Sequence, residues 1–296
     1  MENYSDKILS QLPELIKILE KKGIKNEYLN FDEVEILDEK IRIPTDAKSE
    51  FLANRAMGDW AENLLINQIN KDNNFVSIRY GNDDVISAGE KGFAEFYIKQ
   101  KKQVIEYGKR PDILIFEKNF EKNINLTNLD VVDAKQFVDK SLASIEVRSS
   151  KFDSDLYKKV RRQDKEEEKN VQETLGFSLK VEDIKIVYRW IKLNNKSQSY
   201  FQVFFDKIYA MNFLEMIKYV ASNEKKIKIK TPEKSQGKTT IFIPLDFGTC
   251  VGTITEKPKI EAIQKITRLG RYDFYVKPVG GKLELNYDNF NKVVFI

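Results

Sequence analysis

Residues 110–118 read RPDILIFEK, and residues 144–150 read SIEVRSS. Each stretch combines a short apolar run with a carboxylate: Asp112 precedes the first run and Glu146 lies within the second. Short apolar runs bounded by polar residues are typical of buried strands. In an alternating strand, Glu146 points away from its apolar neighbours and shares a face with Arg148. The two stretches therefore predict two strands whose carboxylates can hold one or two divalent ions.

The chain of 296 residues contains no histidine and one cysteine, Cys250. The absence of histidine excludes Ser-His-Asp and Cys-His catalysis, histidine general bases and histidine-ligated zinc. A single cysteine excludes an intrachain disulfide and a thiolate zinc cluster. Any enzymatic chemistry must therefore use carboxylates, lysines, tyrosines or water. Oxygen ligands of this kind favour Mg²⁺, with Mn²⁺ as its substitute.

The overall charge is nearly balanced, with 50 Lys and Arg against 46 Asp and Glu. This balance is not typical of a protein that coats DNA indiscriminately, but it permits a basic groove. Hydrophobic residues make up 41% of the chain, which is enough for a buried core. No apolar run is long enough for a membrane span, and the first residues lack the features of a signal peptide. We therefore expect a cytoplasmic protein.

Hydrophobic periodicity predicts helices in several parts of the chain. The first is predicted at 5–22, with Ser5 as its N-cap and Gly23 as its end, and the second at about 47–71, interrupted near Gly58. Further helices are predicted at 127–142, where Thr127 and Asp130 have the spacing of a capping box, and at 209–222. The polar segment 154–175 is predicted to be a solvated helix or a mobile arm.

Strands are predicted where the apolar period changes to two. The predicted strands are FVSIRY (75–80), FAEFYIKQKKQVIEYG (93–108), RPDILIF (110–116), SLASIEVRSS (141–150), IKIVYRWIKL (184–193), SYFQVFFD (199–206), TTIFIPL (239–245), RYDFYVKP (271–278) and KLELNY (282–287).

The fold class that follows is α/β, with a central mixed sheet flanked by helices. We divide the chain into an N-terminal helical region at 1–57, a core at 58–222 and a β-rich C-terminal portion at 223–296. The last portion can belong to the same domain as the core, because no low-complexity linker separates them.

Between residues 58 and 221 the chain resembles the PD-(D/E)XK nucleases. The resemblance rests on GDWAE (58–62) on a predicted helix, RPDILIF, SIEVRSS, and the predicted strands around VYRWI and QVFFD. It is similar in particular to type II restriction endonucleases, with the AccI-like group the nearest. The resemblance implies a sheet with flanking helices, magnesium-dependent cleavage of double-stranded DNA at specific sequences, and a homodimer.

The resemblance also implies roles for individual residues. Asp112 and Glu146 would be the two acidic metal ligands, and Glu62 would be the helix glutamate that some members place beside the metal. The third motif position is normally lysine and here is Arg148. Arginine is effectively never deprotonated, which excludes a general base at this position, although it can bind phosphate or position a water. Lys151 could reach the site if the end of the strand bends.

Several alternatives stay open at this point. Asp133 and Lys135 form a rival triplet, DAK, but its surroundings have helical spacing, whereas the acid of the motif belongs on a strand. Glu146 and Arg148 could form a purely structural ion pair, and Asp112 could be a simple turn residue after proline. Asp206 is interpreted as a cap of the helix that follows it. The alternative functions are a repair or junction nuclease of the same fold and a non-catalytic DNA-binding protein.

Overall fold

The computed structural model describes residues 3–31, 49–72, 74–81, 91–127, 129–167, 175–224, 227–230, 239–266 and 270–296. The strands are β1 (Phe75–Arg79), β2 (Ile113–Glu117), β3 (Ala143–Ser149), β4 (Gly176–Lys180), β5 (Ser197–Val203), β6 (Lys207–Asn212), β7 (Lys228–Lys230), β8 (Thr240–Pro244), β9 (Thr249–Glu256), β10 (Lys259–Ile266), β11 (Tyr272–Val279) and β12 (Lys282–Leu285).

The helices are α1 (Tyr4–Leu9), α2 (Leu12–Lys21), α3 (Ser49–Asp72), α4 (Phe93–Tyr107), α5 (Val131–Lys140), α6 (Ser154–Glu167), α7 (Val181–Asn194), α8 (Phe213–Ser222) and α9 (Tyr287–Val294). Short 3₁₀ turns lie at Asn26–Tyr28 and Leu245–Phe247.

The central sheet has the strand order β1-β2-β3-β5-β6-β9-β12. Strands β3 and β5 are parallel and the other neighbours are antiparallel, so the sheet is mixed. A smaller sheet has the order β4-β8-β7, and β10 pairs with β11 as a separate two-stranded ribbon. The predicted α/β class, with a mixed sheet and a β-rich C-terminal portion, is confirmed.

Each face of the central sheet buries its own hydrophobic core. One core combines side chains of α1, α2, α5, α7 and α8 with residues such as Leu114 and Tyr200 of the sheet. The other combines α3 and α9 with the opposite side chains, among them Ile113, Ile145 and Phe201. Successive strand residues point to opposite faces, and the strands therefore contribute to both cores. Because β9 and β12 belong to the central sheet, the C-terminal portion packs directly on the rest; the division at 57 and 222 stays a prediction.

Two predicted strands are wrong, because both segments form helices. Residues 184–193 lie in α7, where Ile184, Val187, Tyr188 and Ile191 recur at helical spacing and are buried. Their many β-branched side chains favour a strand locally, but packing of one helical face overrides that preference. Residues 93–107 form α4, which is bounded by glycines with left-handed φ angles at positions 92 and 108.

Several predicted helix boundaries also change. The predicted helix 5–22 is two helices, α1 and α2, because the chain turns before Pro13 in the first turn of α2, and Asn3 rather than Ser5 is the first N-cap. Helix α3 continues through Gly58 without interruption. The predicted capping box at the start of α5 is wrong, because Asp130 rather than Thr127 is the N-cap, and its side chain makes no capping hydrogen bond to the described residues.

The predicted helix at 209–222 begins later than expected, because its first residues form the end of β6 and only Phe213–Ser222 are helical. Residues Ser154–Glu167 of the polar segment form α6, whereas 168–174 lie outside the described residues. None of the described helices combines the length and the apolarity needed to cross a bilayer.

Candidate active site

The pairing of β2 with β3 brings Asp112 and Glu146 together. Ile113 lies opposite Ile145 in this antiparallel pair, and one step further along the register Asp112 therefore meets Glu146 on the same face. The backbone N–H of Val147 donates a hydrogen bond of 2.6 Å to Asp112 Oδ2. The two carboxylates that the sequence singled out are therefore neighbours at one end of β2.

Glu146 lies almost completely inside the protein, with 1% of its surface exposed. Its Oε1 forms ion pairs with Lys109 Nζ and, at 2.9 Å, with Arg148 Nη2. Its Oε2 is buried and has no hydrogen-bond partner among the residues that the structure describes. Lys109 and Arg148 thus both contact Oε1, and Oε2 is left unsatisfied. An unsatisfied oxygen is rare in a buried charged group.

Lys109 was missed by the sequence analysis. It precedes Asp112 by three residues, outside the motif positions, and the sequence carries no periodic signal that would place it beside Glu146. Its backbone N–H donates to Ile186 O of α7 at 2.9 Å. Gly108 has a φ of 81°, and a Cβ there would lie 2.3 Å from the backbone nitrogen of Trp190. Only glycine therefore allows the chain to approach α7 closely enough to direct Lys109 toward the carboxylate.

Arg148 lies between several acidic groups. Besides Glu146, its guanidinium approaches Asp183 Oδ2 of α7 at 4.0 Å. Burial lowers the pKa of Arg148, but Glu146, Tyr200, Asp112 and Asp183 raise it by more, and the net pKa lies above its usual value. The arginine therefore carries a permanent positive charge at this position, in agreement with the exclusion of a general-base role.

The pKa of Asp112 is raised to about 7. Burial is the main cause and the neighbouring charge of Glu146 is the second, whereas Lys109, the Val147 N–H and Arg148 act in the opposite direction. The ionised form of Asp112 therefore costs folding free energy in the protein without a bound cation.

Replacing Asp112 with asparagine should for this reason stabilise the protein in chelator. The amide oxygen can still accept the Val147 N–H, and the repulsion of Glu146 is removed. The unfolded carboxyl ionises near its usual pKa while the folded one holds its proton up to about 7. The advantage of Asp112→Asn should therefore grow as the pH rises from about 4 to 7 and then level off, reaching roughly 5 °C in melting temperature at pH 8.

Thermal unfolding at pH 5 and pH 8 in EDTA measures this effect. The exposed Asp133→Asn serves as the matched control, and its melting temperature should equal that of the wild type. An Asp112→Asn protein that melts at or below the wild-type temperature at pH 8 would show that Asp112 is not destabilising.

Glu62 is placed differently from the other predicted site residues. Helix α3, which carries it, packs on the sheet face opposite to that of Glu146, and Glu62 pairs with Arg79 at 3.5 Å. Arg79 also contacts Asp59 at 3.6 Å and Asn63 at 3.0 Å. In the described part of the chain, no group of three or more acidic or cysteine side chains could hold a metal ion. A ligand role for Glu62 stays a prediction.

The other residues considered for the motif are not part of the site formed by Asp112 and Glu146. Asp133 and Lys135 are exposed on α5, where Lys135 pairs with Asp139, so the helical interpretation of this rival triplet is confirmed. Lys151 is exposed, two residues beyond the end of β3.

Asp206 caps a helix, but not the helix that follows it. Its carboxylate accepts the N–H of Ser154 at 2.8 Å, the hydroxyl of Ser154 at 2.6 Å and the N–H of Asp155 at 3.0 Å. Asp206 thus accepts hydrogen bonds from backbone N–H groups in the first turn of α6, about fifty residues earlier in the chain. The prediction that it caps the following helix is wrong because β6 intervenes.

Comparison with protein families places the chain in one of them. The model of the AccI restriction endonuclease family matches residues 13–176 and 157–296. The chain belongs to the AccI restriction endonuclease family, and its class of activity is therefore that of a nuclease acting on DNA. No curated protein and no solved structure matches the chain significantly.

Proposed function

We propose that this chain is a type II restriction endonuclease of the PD-(D/E)XK kind, which hydrolyses both strands of double-stranded DNA at a specific sequence. The observation that carries the proposal is the pair formed by Asp112 and the buried Glu146, with two cations on one side of it. Family membership supports restriction over repair or junction cleavage, which the same site chemistry would also allow.

The side chains at this site fit a divalent cation. Within the described part of the chain, one buried oxygen of Glu146 has no donor, and Asp112 has a raised pKa that a nearby positive charge would lower. Both are hard oxygen ligands, and Mg²⁺ is commonly held by one or two carboxylates together with waters and substrate phosphates. We propose Asp112 and Glu146 as its ligands, with Mn²⁺ as a substitute. When bound, the ion would polarise the phosphate and lower the pKa of water.

The residues of the chain have separate parts in the reaction. Asp112 and Glu146 would hold the cation, and the pairing of β2 with β3 keeps their spacing constant. Lys109 and Arg148 stand beside them, where they can bind the phosphodiester and stabilise the negative charge that increases on its oxygens as water attacks the phosphorus. The water releases a proton to solvent as its oxygen bonds to phosphorus. The bond from phosphorus to the leaving oxygen breaks, and that oxygen takes up a proton from solvent.

Digestion of phage DNA tests this function. With Mg²⁺ or Mn²⁺ we expect discrete fragments, because a type II enzyme cuts at a defined sequence. Excess EDTA should abolish cleavage, and Ca²⁺ should support DNA binding without turnover, because calcium tolerates a looser geometry. Full activity in EDTA would contradict the metal role. Nicks confined to branched or damaged DNA would favour the repair alternative, and DNA binding without any cleavage would favour the non-catalytic one.

A further inference from the structure

The ribbon formed by β10 and β11 has one face that is apolar and exposed. Residues paired directly across an antiparallel ribbon point to the same side, and here Ala262 lies opposite Val276 and Ile266 opposite Tyr272. We call this side the outer ribbon face; its exposed apolar residues are Ile260, Ala262, Ile266, Tyr272, Phe274 and Val276. Among its large side chains, Tyr272 and Phe274 are the most exposed, at 60% and 61%.

The charged residues of the ribbon occupy the other side. Glu261 lies opposite Lys277, and Lys265 lies opposite Asp273. This inner side faces α3, against which β11 packs. Gln264 is the polar side chain that shares the outer face among the described residues. Ile263 and Tyr275 also lie on the inner side and are half-buried there. The outer face therefore carries no charged side chain of β10 or β11, and its apolar side chains are exposed.

The ribbon is held firmly to the rest of the protein. Trp60 Nε1 of α3 donates to Gly280 O at 2.8 Å, just beyond the end of β11. Before β10, Lys257 Nζ pairs with Asp153 Oδ2 at 2.8 Å, beside the start of α6. An isolated two-stranded hairpin is marginally stable in water, and these contacts with α3 and α6 hold its orientation. The outer face is consequently a preformed surface.

DNA does not fit this surface. Contacts with the phosphate backbone require cationic and polar groups, and the Lys and Arg residues of β10 and β11 do not lie on the outer face. Exposed apolar patches of several hundred Å² usually mark an interface with another protein. An apolar β-face is also complementary to itself, because a two-fold axis brings the same side chains into contact.

We propose that the outer ribbon face is the surface on which a second copy of this chain docks, with the two ribbons packed face to face about a two-fold axis. The choice of a second copy rests on the proposed function: each chain offers one proposed catalytic pair, Asp112 with Glu146, and cutting two strands calls for two such pairs.

The size of the face sets the expected strength of the dimer. Strands of eight residues extend about 27 Å, and packed sheets stand about 10 Å apart. Face-to-face packing would bury on the order of 500 Å² per chain, or about 1,000 Å² in total, which is the lower limit for a specific interface. We therefore expect dissociation constants in roughly the micromolar range for the free protein.

Sedimentation velocity of the full chain, without DNA or metal, tests the proposal at about 1 to 100 µM. The wild type should shift from monomer to dimer across this range. Phe274→Glu with Val276→Glu should remain monomeric, because the docked faces would then bury like charges against each other. The matched control is Val132→Glu with Leu193→Glu, two exposed apolar residues on α5 and α7, which should dimerise like the wild type.

Circular dichroism and melting temperature establish that the variants are folded. If the glutamate variant does not fold, Tyr272→Ser with Phe274→Ser carries the same expectation. A wild type that stays monomeric at 100 µM, or an outer-face variant that dimerises normally, overturns the proposal. So does an outer-face variant that dimerises but no longer binds DNA. The measurement needs no cleavage, so an inactive protein that dimerises through this face contradicts only the proposed function.

Discussion

Replacing Glu146 with glutamine is expected to reduce the rate of DNA cleavage by roughly a thousandfold or more. Glutamine keeps the shape of the side chain and an oxygen that Lys109 and Arg148 can still contact. It removes the negative charge that would hold the cation, and with the amide oxygen at the position of Oε1 it replaces Oε2 by an amide nitrogen, which is not a metal ligand. The loss should therefore appear in the cleavage rate at saturating Mg²⁺, measured on a plasmid that the wild type linearises.

The rival triplet provides the control for this experiment. Asp133→Asn and Lys135→Ala change exposed residues of α5 and should leave the cleavage rate close to that of the wild type. DNA binding in Ca²⁺ shows whether the Glu146 variant still recognises its substrate. An active Glu146→Gln enzyme together with an inactive Asp133→Asn enzyme would show that the proposed catalytic site is wrong.

The second large effect is expected when either of the two basic side chains beside Glu146, Lys109 or Arg148, is replaced. Lys109→Ala and Arg148→Ala should each lower the cleavage rate by about a hundredfold or more, because each removes a charge beside the reacting phosphate. Lys109→Arg and Arg148→Lys retain a charge and should keep measurable activity. Single-turnover rates with bound DNA isolate the chemical step from binding.

A purely structural role would give a different result. Each cation contacts the same buried oxygen of Glu146, and removal of both would leave a buried charge without a partner, which typically costs about 3–5 kcal/mol. If the ion pairs serve stability alone, the single variants should melt earlier and cleave at the wild-type rate. For Arg148→Ala, such an outcome would direct attention to Lys151 as the motif cation.

The amino-acid sequence was sufficient to predict four strands that are neighbours in the central sheet. Strands β1, β2, β3 and β5 each contain a short apolar run, and these segments are buried on both faces of the sheet. The alternation within SIEVRSS also correctly predicted that Glu146 and Arg148 share a face, because the period of a strand is strictly two. Strand positions and the face to which a side chain points were therefore predictable, because both depend on the local spacing of apolar residues.

The two mistaken strands have a common cause. The predicted strands at 93–108 and 184–193 contain several aromatic and β-branched residues, which favour strands when each segment is considered alone. Packing of α7 on the sheet and the left-handed glycines that bound α4 favour helices instead. These are contacts and backbone conformations that single-segment propensity does not include.

The sequence by itself limited the kinds of chemistry that are possible, because a chain without histidine cannot use histidine bases or histidine-ligated zinc. It also predicted Asp112 and Glu146 as the candidate pair from the strands around them. Tertiary structure alone decided that Lys109 joins Arg148 on Glu146 and that Asp206 caps α6. It also decided that the apolar side of the ribbon faces outward. The physical reason is that strand periodicity is a local property, whereas an ion pair, a cap or an exposed face depends on which distant segments fold against one another.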